Sequence, residues 1–341
     1  MTALRRLQRQ ARQRGAALLM AMLTVTLVAG FAAAALWQQW QAVEVESAER
    51  SRVQGAWILT GSLDWARLIL REDGRSGGAD YLGEPWAVAL QESRLSSFLA
   101  AGQSTAATDS TDDDLDVFLS GQIEDMQGRL NVANLADGAK VSEPDLLAFS
   151  RLFELLGLPE GELTTLAASL ARAAPGGAVP VSAAAPLMPQ RLPQLQWLGL
   201  SKNSLDILKP YITLLPARTP VNLNTASAEV IYASVPGLDL AQAQRLVDQR
   251  ALNYFRNVGD ADKLIGEPAG RINQSAHSVQ TRFFEVRGRL RMDSTLIEER
   301  SLVQRDGLDV RTLWRERAAL PPVVDSANAA NAGASMGSLS R

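Results

Sequence analysis

The run Arg12-Gln13-Arg14-Gly15-Ala16-Ala17-Leu18-Leu19-Met20 contains the junction from which the rest of the chain is read. From Gly15 to Val43 no side chain is charged, and Ala16 to Trp37 is nearly all Ala, Leu, Met, Val and Phe. About 20 such residues are enough to cross a bilayer as a helix. Arg5, Arg6, Arg9, Arg12 and Arg14 precede the run, and Glu44, Glu46 and Glu49 follow it. The positive-inside rule therefore puts residues 1–15 in the cytoplasm and everything after a 16–37 span outside, with Trp37 and Trp40 at the interface. A basic segment, an apolar run and the Ala32-Ala33-Ala34 exit also fit a cleaved secretory signal, which is the competing reading.

The basic residues abut the apolar run with no spacer, and Gly15 is the last residue before it. This junction resembles the type IV prepilin signal, in which a membrane peptidase cuts after a glycine and the apolar helix stays in the protein. The resemblance implies a leader of residues 1–15 removed by prepilin peptidase and a mature chain beginning at Ala16. Pilins carry a glutamate five residues after the cut, where this chain has Met20. A carboxylate in the bilayer costs about 2.5 to 3.5 kcal/mol unless paired, so a subunit with Met20 lacks the partner that glutamate serves.

The chain has 341 residues, 46% of them hydrophobic and 21% charged, which suits more than one folded unit. With no cysteine and a single histidine, His277, disulfides, thiolate metal clusters and sites needing two imidazoles are excluded. Any catalysis would rest on carboxylates, and no pair of them stands out. The formal charge of −3 becomes −8 without the five leading arginines, a poor balance for binding nucleic acid.

Beyond the span, Ala56, Leu59, Leu63, Ala66 and Leu70 recur at intervals of three and four, with Asp64, Arg67 and Arg71 between them. That stripe predicts a helix continuing from Ala16 to Glu72, about 85 Å at 1.5 Å per residue, its second half packed against something apolar. Residues 73–114 read as loops around a turn of helix near Leu95–Leu99, with Gln103–Asp114 a solvated connector. Asp112, Asp114 and Asp116 offer oxygens, but neither the glycine turn nor the distal glutamate of a calcium-wrapping loop follows.

Leu115 to Ile123 alternates as a strand with one buried face, and Asp125-Met126-Gln127-Gly128-Arg129-Leu130-Asn131 follows as a glycine turn into a second short extended piece. Helices are expected at Pro144–Leu156, Leu163–Ala173 and Ser204–Ile212, around a Pro, Gly and Ala run at Pro175–Pro193. Val221-Asn222-Leu223-Asn224-Thr225-Ala226 starts another, capped by Thr225 or Asn224. Pro236-Gly237-Leu238-Asp239 turns into a helix at Ala241–Arg250, and Phe255 follows. This is a helix-hairpin-helix pattern over 222–251. Such hairpins elsewhere hold DNA phosphate on a Gly-x-Gly turn, but Asp239 places negative charge where the anion would sit. A membrane-anchored DNA-uptake protein is the alternative function, with a structural hairpin preferred.

Phe284, Val286, Gly288, Leu290 and Met292 alternate with Glu285, Arg287, Arg289 and Arg291, a clear period of two. The arginine face is either solvated or a site for an acidic partner. Asp306-Gly307 marks a hairpin between Leu296–Val303 and Leu308–Trp314. From 317 onward the chain reads as a disordered tail.

Taken with the leader, the Asp125-x-x-Gly128-Arg129-x-Asn131 turn and the Asn222-x-Asn224-Thr225-Ala226 hairpin resemble protein K of the type II secretion system, the large minor pseudopilin. The resemblance implies an α+β fold, with a transmembrane helix continuing into a pilin-like helix on a small antiparallel sheet. It divides the rest into a pilin-like domain of 38–135 and 276–316 and an all-helical insertion of 136–275. It further implies a non-enzymatic, single-pass inner-membrane protein with its body in the periplasm. There it would help initiate and cap the pseudopilus that exports folded proteins, with minor pseudopilins I and J, and H, as partners. Their helices would meet the stripe Ala56, Leu59, Leu63, Ala66 and Leu70. Family members bind calcium through an acidic loop in the insertion, yet Leu163 to Leu205 contains no Asp or Glu. No metal or cofactor is therefore expected there, and any calcium would need Asp112, Asp114, Asp260 or Asp262.

Overall fold

A computed structural model describes residues 2–96, 117–174, 186–266, 272–292 and 295–320, with side chains from Ala17 to Ala319. It forms two compact units, Met1–Ile58 and Leu59–Arg341. The opening helix, α1 (Thr2–Ser76), begins in the first unit and ends in the second. It extends the expected Ala16–Glu72 at both ends. In the first unit its apolar side chains, Leu18 through Phe31 to Trp40, are exposed, and mean hydropathy reaches 2.2 over 18 residues. That is a helix long and apolar enough to cross a membrane.

The second unit is built on five antiparallel strands: β1 (Leu90–Arg94), β2 (Val117–Asp125), β3 (Phe283–Met292), β4 (Thr295–Asp306) and β5 (Asp309–Leu320). They lie side by side in that order, with Gly121 opposite Gly288 and Phe284 opposite Val303. Thus β2 and β3 are neighbours although residues 126–282 separate them in the chain. Gly307, at φ +60°, makes the tight turn between β4 and β5. β1 was not expected; its residues Leu90-Gln91-Glu92-Ser93-Arg94 carry little apolar alternation because it is a half-exposed edge strand. The supposed tail also starts too early, since Ala318, Ala319 and Leu320 pair with Glu298, Ile297 and Leu296.

One face of this sheet carries α1. Leu63, Ala66 and Leu70 bury against Phe284, Val286, Val303 and Val310, with Trp86 edge-on to Phe284 at 5.2 Å. A Cβ at Gly288 would lie 3.2 Å from Leu59 Cδ2, so the missing side chain there sets how closely α1 approaches. Arg67 donates to Val310 O through Nε at 3.0 Å and Nη2 at 2.8 Å, tying helix to edge strand.

The insertion packs α2 (Glu143–Leu155), α3 (Glu160–Ala173), α4 (Lys202–Leu208), α5 (Ala228–Ser234), α6 (Leu240–Leu252) and α7 (Val258–Ile265) around one apolar core. Leu163, Leu166, Ala167 and Leu170 of α3 show the spacing responsible: one stripe buried, acids Glu160 and Glu162 in the first turn. The insertion is not wholly helical. Leu130–Asn131 pairs with Ile212–Thr213, Ala136–Asp137 with Lys140–Val141, and Val221–Asn222 with His277–Ser278. Two helix expectations fail there for that reason. The helix placed at Ser204–Ile212 stops at Leu208, and Val221-Asn222 is strand rather than helix start. Insertion and sheet fall in the same compact unit.

Candidate functional site

The Asp125–Asn131 turn is a joint between sheet and insertion. Asp125, buried at the end of β2, accepts from Gln127 N at 2.7 Å, Thr225 Oγ1 at 2.6 Å and Asn222 Nδ2 at 2.8 Å. Gly128 is required because a Cβ would lie 2.9 Å from Thr225 Oγ1. Arg129 pairs with Glu124 at 2.8 Å. Asn131 donates to Ala217 O at 2.8 Å and accepts from Ala133 N and Leu215 N, each at 3.1 Å. Asn224 and Thr225 are thereby used, and neither caps a helix. Asn224 clasps the backbone of Phe255 from both sides, at 2.9 Å each, and Ser227 caps α5. The two motifs that carried the resemblance, 91 positions apart from Asn131 to Asn222, are thus one hydrogen-bonded unit.

That unit continues into an acidic pocket that sequence reading missed. Asn222 Nδ2 also donates to Asp80 O at 3.1 Å; Asp80 accepts from Thr281 N at 2.7 Å and from Arg305 Nη2 at 2.5 Å. Arg305 reaches Asp73 with its other terminal nitrogen and donates to Thr281 O at 3.1 Å. Glu84 Oε2 accepts from Tyr81 N at 3.0 Å and Trp86 Nε1 at 2.7 Å. Oxygens of Asp73, Asp80 and Glu84 lie within 4.8 Å of one another beside a cavity of about 210 Å³. Burial pushes Asp80 up to about 6 against the pull of Arg305, pushes Glu84 up to about 7, and raises Asp125. A hard cation needs six or more free oxygens, whereas the oxygens of Asp80 are taken by an amide and a guanidinium. The pocket does not fit a bound calcium ion. Asp260 and Asp262 are spent on the backbone, at Asn257 N and Ile272 N; Asp112 and Asp114 lie outside the described residues.

The helix-hairpin-helix turns inward. Asp239 Oδ1 accepts from Gln242 N at 2.6 Å, and Gln242 Oε1 from Asp239 N at 3.0 Å, a reciprocal cap on α6 that occupies an amide a phosphate would use. Arg151 of α2 donates to the turn's carbonyls, Val235 O and, at 2.7 Å, Leu238 O, and stacks on Tyr232. His277 is buried between Asn273 and Ser234 Oγ, and burial lowers it to about 4.

Leu59, Leu63, Ala66 and Leu70 do not await a partner; this chain's own sheet covers them, which overturns the partner-contact expectation for those four. The side of α1 that stays open in the second unit carries Trp65, 44% exposed, and Leu68, 54% exposed. Trp65 borders an apolar groove of about 230 Å³ with Ile69, Trp86, Val88 and Leu119. The arginine face is not a free docking site either. Arg287 pairs with Glu285 at 2.8 Å along β3 itself, while Arg289 pairs with Glu298 at 2.6 Å and Arg291 with Glu92 at 2.5 Å on other strands, which the sequence does not reveal. Gly15 and Ala16 lie within α1, their surroundings outside the description, and Met20 is exposed.

Two family profiles, both described as type II secretion system (T2SS), protein K, match residues 128–217 and 221–280. A type II secretion system protein K of Pseudomonas aeruginosa is 29% identical over 326 residues, covering 89% of each chain. Among solved structures, the GspK-GspI-GspJ complex of enterotoxigenic Escherichia coli has a similar chain, at TM-score 0.60 and 17% identity over 80% of this chain and 98% of that one. The matched profiles begin at Gly128, inside the turn, and take in Asn222, and the Pseudomonas relative carries the likeness over most of the chain: this chain is similar in sequence to type II secretion system protein K and in fold to a chain of the GspK-GspI-GspJ complex.

Proposed function

We propose that this chain is the minor pseudopilin at the tip of the type II secretion pseudopilus, where it helps initiate and cap the fibre that exports folded proteins across the outer membrane. Prepilin peptidase cuts between Gly15 and Ala16. The mature helix stays in the inner membrane, with the leader side cytoplasmic and the body periplasmic. Minor pseudopilins I and J, and H, are its partners, and it works by assembly rather than catalysis. The Escherichia coli relative was solved with GspI and GspJ, which supports the first two.

The observation that carries this reading is where the insertion leaves the sheet. It departs after Asp125 and rejoins at Phe283, at the end of the sheet where Phe284 packs on Leu70, within two turns of the end of α1. The added bulk therefore lies beyond the helix end, where a following subunit would have to stack. Met20 supplies no carboxylate for a neighbour's amine. Partner helices meet α1 at Trp65 and Leu68, away from the stripe its own sheet covers.

Amino-terminal sequencing and intact mass of the membrane form test the processing step. A start at Ala16 is expected; a start near Ala35, or an intact Met1, contradicts it. The partner face is tested by Trp65→Asp with Leu68→Asp. The double variant is expected to keep its melting temperature and lose co-purification with I and J; unchanged capture rejects this face.

A further inference from the structure

Asp73 lies in the last turn of α1, and Gly78 and Glu84 follow it five and eleven positions on, a carboxylate and glycine spacing also met in cation loops. Asp80 adds a third carboxylate, and oxygens of all three come within 4.8 Å. Three acids drawn that close cannot all stay charged in a partly buried site without a positive charge among them. That charge is present. The Arg305 side chain, nine-tenths buried, reaches in from the end of β4, pairs with Asp73 and Asp80, donates to Thr281 O, and lies 5.0 Å over the Phe284 ring. Its own backbone is fixed by Arg305 N donating to Arg282 O at 2.7 Å. The guanidinium thus comes from the sheet and its acids from the end of α1 and the segment after it, which it joins as a bridging ion would. Nothing comparable is offered by Leu163–Leu205, which has no acid.

We infer that Arg305 is a built-in cation: its guanidinium, paired with Asp73 and Asp80, takes the place of a divalent ion beside the three carboxylates, so this fold holds its joint without calcium. The inference does not rest on the proposed place at the fibre tip. A positive charge delivered by the chain is always present, whereas a bound ion depends on its concentration outside the membrane. Removing the guanidinium should leave an oxygen-rich pocket with excess negative charge, and calcium should then enter it.

The test is thermal melting of the full chain in detergent, in chelator and in millimolar calcium chloride, for the native sequence, Arg305→Ala and Arg305→Lys. The native protein is expected to melt at the same temperature in both buffers, and Arg305→Lys to stay indifferent to calcium. Arg305→Ala is expected to melt lower in chelator and to recover several degrees in calcium, with no recovery in sodium chloride of equal ionic strength. If it is unfolded in chelator, refolding on addition of calcium is the expected equivalent. A native protein stabilised by calcium overturns the inference, as does an Arg305→Ala chain that calcium neither stabilises nor refolds.

Discussion

At the end of the sheet where α1 stops, Arg305 and its partners Asp73 and Asp80 keep no more than about a tenth of their side chains exposed. Toward Met292, at the other end, Arg291 meets Glu92 at 2.5 Å with 43% and 51% of the two side chains in solvent. The ion types are the same and the roles differ. An exposed pair contributes about 0 to 1 kcal/mol, because water and salt compete for both partners. A buried pair adds little over an apolar alternative, yet removing one member strands the other and costs about 3 to 5 kcal/mol. The first end therefore works as a lock between α1, sheet and insertion, and the second as a solvated, charge-balanced surface.

That contrast can be broken in graded steps. Arg305→Met should cost the most, about 3 to 5 kcal/mol by chemical denaturation, since Asp73 and Asp80 lose their counter-charge. Leu70→Ala, which empties a fully buried position of the helix–sheet core, should cost about 3 kcal/mol without changing the calcium response. Asn222→Ala removes hydrogen bonds to Asp125 and Asp80 O and should cost about 2 kcal/mol. Arg291→Ala should cost less than about 1 kcal/mol, and equal losses at 291 and 305 would erase the distinction between the two ends.

Acidity sharpens it further. Asp80, Glu84 and Asp125 have native pKa values above their ordinary ones, so the folded state holds their protons more tightly. Their contribution is present at low pH and lost as pH rises through about 6 for Asp80 and about 7 for Glu84. His277 runs the other way. Its native value of about 4 lies below the usual 6.5, so its contribution is present above 6.5 and lost as pH falls through 4. Melting temperature should therefore peak in mildly acidic buffer. Glu84→Gln should flatten the alkaline side, and His277→Phe the acidic side.

How much of this was legible beforehand followed from the range of the interaction. The apolar first half of α1, its later stripe, α2, α3 and the β3 alternation are each decided by neighbours within a few positions, and the sequence shows them. The Asp125 and Asn222 motifs were visible as residues but not as a contact, because their bond closes a separation of 97 positions. Thr225 looked like a cap because hydroxyls cap helices; its hydroxyl instead goes to Asp125, and Ser227 takes the cap. The stripe from Leu59 to Leu70 shows in the sequence as a buried face, and the expected helix-on-sheet packing holds, but periodicity does not say that the sheet uses the whole stripe and leaves partner helices another side of α1. The acidic pocket left no local signal beyond Asp73, Gly78 and Glu84, and Arg305 lies 225 positions from Asp80.

The most direct test of the proposed role is immunogold labelling of this chain on sheared pseudopili, using an epitope placed in the insertion and a label on the major subunit as length marker. The account predicts gold at one end of each fibre and none along the shaft. Gold spaced along the shaft, or fibres of normal number and length in cells lacking the chain, would contradict it.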